Sequence, residues 1–431
     1  MSADWHDTIQ RYMSGSTTRE ESEALEDALK NDAELRLLYL DYLNLDLALE
    51  AKAETSGELA EIVPISDLNS APASSRKPMR SVLAIAAVFA LLLSLATLFF
   101  KPTSEPAAWV WQATGTQTVS VGESLSPGRV VNLLSGQVRI RFAWGAILAV
   151  ESPAEFTILG QNSARLIRGQ ATVRVPGKKK GFTVVTPTER VIDLGTSFGV
   201  DVATSGATEI SVFEGEVKLG AEQRLTAGQS VEVAEARSEP KEIPYSERPY
   251  ADTWQISFGV EALSGKVRVA SPSERRSPGK VQDSESLLLF PERERVPVSR
   301  GYRVDAMEQG LHQRPFRKRM ITLTEDQPVD SFLLQYNPER SKDNSEKRRF
   351  EGELRFDRPI VALILQKELL DASDKLMALP DVDFQNIFRR GINVFDQVEL
   401  SADRRSLRIA FDLKDGVDQI RVLVASDTGL M

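Results

Sequence analysis

The sequence predicts a multidomain chain: a small all-α cytoplasmic bundle, one transmembrane helix, an all-β domain and a carboxy-terminal β-sandwich. Three observations predict it. Apolar residues recur at helical spacing in the first 53 residues, residues 81–100 carry no charge, and from about residue 105 Val, Ile and Leu alternate with polar residues at period two. A length of 431 residues fits several units rather than one, at roughly 150 residues per domain. The chain has no cysteine, and its two histidines, His6 and His312, lie far apart in sequence. Disulfides, thiolate metal sites, cysteine nucleophiles and imidazole clusters are therefore excluded. We expect a protein that is not an enzyme and needs no cofactor.

Residues 1–53 form the first expected element. Trp5, Ile9 and Tyr12 share one face of a short helix that ends at Gly15. Thr17 or Thr18, with Glu20 or Glu21 three positions on, opens a capping box for a second helix that buries Ala24, Leu25, Ala28 and Leu29. After Asn31 and Asp32 a third helix runs from about Ala33 to Ala53. Leu35, Leu38, Tyr39, Tyr42 and Leu49 make one stripe on it, and Leu37, Leu40, Leu43 and Leu47 make another. So small a bundle has few helices to cover both stripes. The second stripe is the candidate contact with a protein partner, unless a fourth helix around Glu58 to Val63 covers it. Residues 1–75 hold sixteen acids against five bases, so nucleic acid is a poor direct partner. Residues 54–80, rich in Ser, Ala and Pro, read as a linker.

Residues 81–100 are long enough to span a hydrocarbon core, since 20 residues at about 1.5 Å each match roughly 30 Å. Arg76, Lys77 and Arg80 precede the run, and Lys101 alone follows closely. The positive-inside bias puts the amino terminus in the cytoplasm and the remaining 330 or so residues outside the cytoplasmic membrane. The expected location is the inner membrane, crossed once.

The β module covers residues 105–237. Three segments in it share a turn, a glycine and a strand: SGQVRIRF from Ser135, RGQATVRV from Arg168 and EGEVKLG from Glu214. VGESLSPGRV from Val121 and LTAGQSVEV from Leu225 share a related form. Their spacing is irregular, which speaks against a solenoid and for a closed or coiled antiparallel structure with glycine at positive-φ corners. Lys178 to Lys180, between Gly177 and Gly181, read as a solvated basic turn.

The stretch TTREESEALEDALKNDAELRLLYLDYL, with its preceding helix and following span, resembles the cytoplasmic anti-sigma domain of FecR-type membrane regulators, the ferric-citrate sensor family. The cysteine–histidine zinc motif of the zinc-binding anti-sigma family is missing, which favours the metal-free version. VVTPTERVIDLGTSFGVDV from Val184, EISVFEGEVKL from Glu209 and Ala-Gly-Gln at 227–229 resemble the FecR domain. The residues carrying that likeness are Thr186, Pro187, Leu194, Gly195, Thr196, Phe198, Val200, Glu214 and Gly215, and we expect mainly structural roles for them. The resemblance covers about residues 1–237. It implies an outside domain that receives a signal and an inside segment that holds or licenses an extracytoplasmic-function sigma factor.

Residues 245–431 depart from that family. Alternation in SFLLQYNP, GELRFDRPIVALILQ, SLRIAF and DQIRVLVAS argues a β-sandwich, with a turn at Lys414-Asp415-Gly416. FDRPI, LLDASD, LSADRRSL and DQIRV are similar to a β-sandwich module of secreted bacterial proteins, which implies an unknown ligand or protein partner outside the cell. Asp381, Asp383 and Asn386 offer oxygen to a hard cation, but no EF-hand glycine or distal glutamate follows and turn chemistry accounts for them. The function expected is a single-pass signal transducer acting on a sigma factor. The alternative is a membrane-anchored adhesion or carbohydrate-binding protein.

Overall fold

The computed structural model describes residues 105–177, 179–220, 223–313, 321–339, 348–382, 384, 390–413 and 417–426, together with Trp5, Thr8, Thr18, Glu21, Ala24, Leu25, Ala28 and Leu35. The chain divides into two units, Met1–Phe99 and Phe100–Met431. In the first, Leu25 and Leu35 are buried. Thr18 and Glu21 form a capping box: the Thr18 amide donates to the Glu21 carboxylate at 2.9 Å, and the Glu21 amide donates to Thr18 Oγ1 at 3.3 Å.

The expected fold class needs correction. Among the described residues the structure is mostly β, 51% strand with two short helices, and shows no all-α bundle. Among the described residues no helix is long and apolar enough to cross a membrane. Helical spacing and bilayer-matching length are local criteria, and neither supplies the tertiary packing that makes a bundle. Residues 81–100, and Leu37, Leu40, Leu43 and Leu47, lie outside the described residues, as does the turn at 414–416.

The second unit opens with fourteen strands: β1 (Ala108–Thr114), β2 (Ser124–Leu125), β3 (Val130–Leu133), β4 (Gln137–Phe142), β5 (Ile147–Gly160), β6 (Ser163–Arg174), β7 (Thr183–Val185), β8 (Arg190–Asp193), β9 (Ser197–Val202), β10 (Thr208–Glu214), β11 (Glu216–Leu219), β12 (Gln223–Thr226), β13 (Ser230–Val233) and β14 (Lys241–Ile243). Their pairing makes two layers that share the long strands β5 and β6. The first half of β5 pairs with β4 and its second half with β3. The second half of β6 pairs with β9 and its first half, in parallel, with β7. One layer therefore runs β2-β1-β4-β5-β6-β9-β10-β13-β14 and the other β3-β5-β6-β7-β8-β11-β12. Val, Ile, Leu, Ala and Phe side chains fill the space between, with Val110, Ile140, Phe156, Phe198, Val200 and Val217 fully buried.

The chain changes layer at Gly128, Gly136, Gly169, Gly195, Gly215 and Gly228, with φ between 78° and 105°. All but Gly195, which belongs to the motif at Leu194 to Val200, are glycines of the repeated turn, glycine and strand segments. The repeat marks corners and has no fixed period because the strands between corners differ in length. At Gly215 the requirement is steric as well as torsional: a Cβ there would lie 2.3 Å from the Gly195 carbonyl oxygen, so two corners touch through their backbones.

Helix α1 (Ala251–Ser257) leads into thirteen further strands: β15 (Val260–Gly265), β16 (Val267–Val269), β17 (Asp283–Pro291), β18 (Val296–Val298), β19 (Arg303–Val304), β20 (Gly310–His312), β21 (Ile321–Thr322), β22 (Gln327–Asn337), β23 (Arg348–Phe356), β24 (Ile360–Ile364), and, after helix α2 (Lys367–Met377), β25 (Gln397–Leu400), β26 (Ser406–Leu413) and β27 (Asp418–Ala425). Sheet β15-β23-β26-β25-β20 and sheet β16-β17-β22-β27-β24 enclose one core, including Phe332, Phe356, Ile409 and Val422. The second sheet buries its other face too, under Leu370 and Met377 of α2. Charge is sealed beneath that helix. Fully buried Arg421 donates to both Glu292 oxygens at 2.7 and 2.8 Å, to Asp374 at 2.9 Å and to Ser373. Arg390 bridges Asp374, Asp371 and Gln419. The LLDASD and DQIRV segments thus meet in one ion network.

Candidate functional site

The glycine-corner strands carry the family-like motif residues. Thr186 is buried: its hydroxyl donates to the Glu189 carbonyl, accepts from the Glu189 amide and accepts from Thr208, each at 3.0 Å. Pro187 beside it is exposed. Asp193 closes the next corner, accepting from the Gly195 amide at 3.0 Å and from the Thr196 hydroxyl. Burial raises the Asp193 pKa, and these donors pull it back only in part. The Leu194 amide donates to Glu216 at 3.0 Å, tying the corner at Gly195 to the corner at Gly215. Phe198 and Val200 fill the core between the layers.

Glu214 and its neighbours face elsewhere. Phe213 points away from that core into the second one, 5.3 Å from the Tyr250 ring and 5.7 Å from Trp254, both edge-on. Gly199 lies under Tyr250, whose Cε1 would be 2.4 Å from an added Cβ. Glu214 accepts from Arg275 at 3.1 and 3.2 Å, and Arg276 approaches it at 3.5 Å. The motif strands β9 and β10 are therefore the seat of the segment that leads into the second β body.

Three further arginine pairs complete this junction. Arg174, at the end of β6, lies 3.5 Å from the Phe258 ring centroid and donates to Glu294 at 2.8 and 3.1 Å and to the Ser257 carbonyl at 3.1 Å. Burial alone would raise the Glu294 pKa; Arg174 and Arg275 outweigh it and hold the carboxyl below its ordinary value. Arg139 in β4 donates to Asp357, which also accepts from Arg358 at 3.0 Å, and Arg358 reaches Asp330 at 2.6 Å. Thr172 and Thr253 share a hydrogen bond of 2.7 Å beneath α1. Burial lowers the Arg275 pKa, with Glu214 opposing it. Such pairs cost desolvation and are held in place by geometry and multiple donors rather than by charge alone.

Residues 127–218 match the family model described as FecR protein. The chain carries a FecR domain. That match covers β3 to most of β11 and includes every motif residue named above. Two crystal structures of a candidate anti-sigma factor from Parabacteroides distasonis ATCC 8503, at 1.65 and 2.50 Å, are similar to parts of the chain. The first has 16% identity over 32% of this chain and 66% of its own, with a TM-score of 0.25; the second has 18% identity over 39% and 68%, with a TM-score of 0.20. The chain spans just under two thirds of the first neighbour's length. TM-scores this low bear on neither fold nor partner. No curated protein matches.

Sequence reasoning did not single out Arg139, Arg174, Arg275 or Glu294. A signal exists: Arg139 and Arg174 sit inside strand runs whose neighbours on both sides are buried, so each charge needed a partner from another element. Lys179 donates to the Trp144 carbonyl at 2.7 Å and lies over its ring, while Lys178 falls outside the described residues. His312 is half-buried and bonds the Glu308 carbonyl at 2.7 Å; His6, Asp383 and Asn386 lie outside the described residues. Among the described residues no three His, Asp or Glu side chains are grouped to hold a metal.

Proposed function

We propose that the chain is a FecR-type regulator of an extracytoplasmic-function sigma factor. Residues 1–53 bind the sigma factor through Leu37, Leu40, Leu43 and Leu47, and the β unit receives the signal. The proposed location is the cytoplasmic membrane, amino terminus inside and β unit outside, resting on the bases that precede residues 81–100. The single observation that carries the reading is the FecR match at residues 127–218. A sensing role is supported by the junction. The second β body rests on Phe213, Glu214 and Gly199 of the FecR strands, so a change in that body has a direct mechanical route to them.

Co-purification of the full chain with each extracytoplasmic-function sigma factor of the same organism tests this. Capture of one, lost with Leu40→Asp and Leu43→Asp and weakened by salt because residues 1–75 carry sixteen acids, is the expected result. Capture of none contradicts the sigma-binding reading. Recovery of the chain in the soluble fraction after lysis contradicts the location.

A further inference from the structure

An open cleft of about 710 Å³ lies beside the junction. One wall is the connecting segment, with Tyr245, Arg248 and Asp252; the other is the sandwich edge, with Leu263, Val269 and Pro272. The floor is apolar: Tyr245, Leu263 and Val269 are partly buried and pack against the second core. The rim is polar, and its charges balance, two acids (Glu247, Asp252) against two bases (Arg248, Arg268). Glu247 and Arg268 are committed to the fold. Glu247 accepts from the Tyr245 hydroxyl at 2.7 Å and from Ser273, and Arg268 holds Glu274 and Asp283. Arg248 and Asp252 are exposed, and among the described residues neither has a side-chain hydrogen bond or ion pair.

We propose that this cleft binds a small, uncharged, hydroxyl-rich ligand, a saccharide of one or two rings. The rim offers no surplus of free bases to an anion, since Arg268 is already held by two carboxylates, and an apolar floor suits the C–H face of a sugar ring packed on Tyr245 and Pro272. Arg248 and Asp252, a planar donor and a planar acceptor, suit neighbouring hydroxyl groups. The volume falls in the range of small-molecule sites, about 300–1,000 Å³. A ligand here joins the connecting segment to the sandwich edge. That segment continues into Tyr250 and Trp254, which pack on Phe213 of the FecR strands. The inference deepens the proposed function by naming the class of signal, and it rests on that reading only for its consequence.

Isothermal titration of the full chain with glucose, galactose, N-acetylglucosamine and their β-1,4-linked disaccharides tests the binding. At least one should bind. Arg248→Ala and Asp252→Ala, both at exposed positions, should each weaken it tenfold or more, and Ala251→Trp, which fills the rim, should abolish it. Heat from none of these sugars overturns the proposal, as does binding that all three variants leave unchanged. Sigma-factor capture, measured separately, distinguishes failure of this site from failure of the regulatory reading: a chain that captures a sigma factor and binds no sugar retains the function and loses the ligand class.

Discussion

The two β bodies of the second unit close their cores in different ways. In the FecR body, long strands pass from one layer to the other and six of the crossings fall at glycines, so one apolar core is wrapped by a single winding path. In the second body two separate sheets face each other, and the outer face of one is sealed by α2 over an arginine–carboxylate network. The first arrangement depends on backbone conformation at a few points. The second depends on the simultaneous presence of charges that only the folded chain brings together.

This difference predicts which substitutions hurt which body. Arg421→Met should have the largest effect, a loss of about 3–5 kcal/mol, because it leaves Glu292 buried beside Asp374 without its main cation. Urea unfolding should show the loss as a lowered midpoint, and hydrogen exchange should show it in the amides of β22 and β27. Replacing Glu292 by Met as well should recover part of it, since a buried pair exchanged for apolar groups is often neutral.

Gly215→Val comes next, at about 2–3 kcal/mol, through positive φ and the clash with the Gly195 carbonyl. The same change at Gly228, also a layer crossing, meets nothing within 4 Å and should cost about 1 kcal/mol. Equal costs at the two sites would mean that the touching corners contribute nothing beyond their torsions. Glu214→Gln should cost about 1–2 kcal/mol, by weakening the charge-assisted bonds from Arg275, and should act on both bodies because it lies between them.

The smallest effect is pH-dependent. Burial, aided by Asp396, pushes the Asp418 pKa from 3.8 up to about 7, and burial raises Asp396 to about 6. The folded chain then holds these protons more tightly than the unfolded chain. Stability from these groups is full below about pH 4 and declines as pH rises through 6 and 7. Asp418→Asn should match the unaltered chain at pH 4 and exceed it by ~1 kcal/mol at pH 8, measured by urea midpoint. A variant less stable than the unaltered chain at pH 8 contradicts the burial argument.

The glycine corners were legible because each is local: a turn residue, a glycine and a strand stand together in sequence, and positive φ has few other solutions. The motif at Leu194 to Val200 and at Glu214 and Gly215 was legible for the same reason. What Glu214 touches was not. Arg275 is 61 residues away, Asp357 lies 218 residues from Arg139, and Glu292 lies 129 from Arg421. Strand periodicity reports that a position is buried and gives no partner. The sites at Leu37, Leu40, Leu43 and Leu47 remain a sequence argument, and among the described residues the helical and membrane-spanning parts of the fold expectation gave way to a structure that is mostly strand.

The central claim is that the FecR strands and the second body act as one unit through Arg139, Arg174 and Glu214. Native-state hydrogen exchange of the full chain tests it most directly. Amides in β9 and β10 and amides in β22 and β27 should open with one shared free energy in the unaltered chain. They should separate into two in a chain carrying Arg174→Met, Glu214→Gln and Asp357→Asn. Two distinct opening energies already present in the unaltered chain would contradict the account.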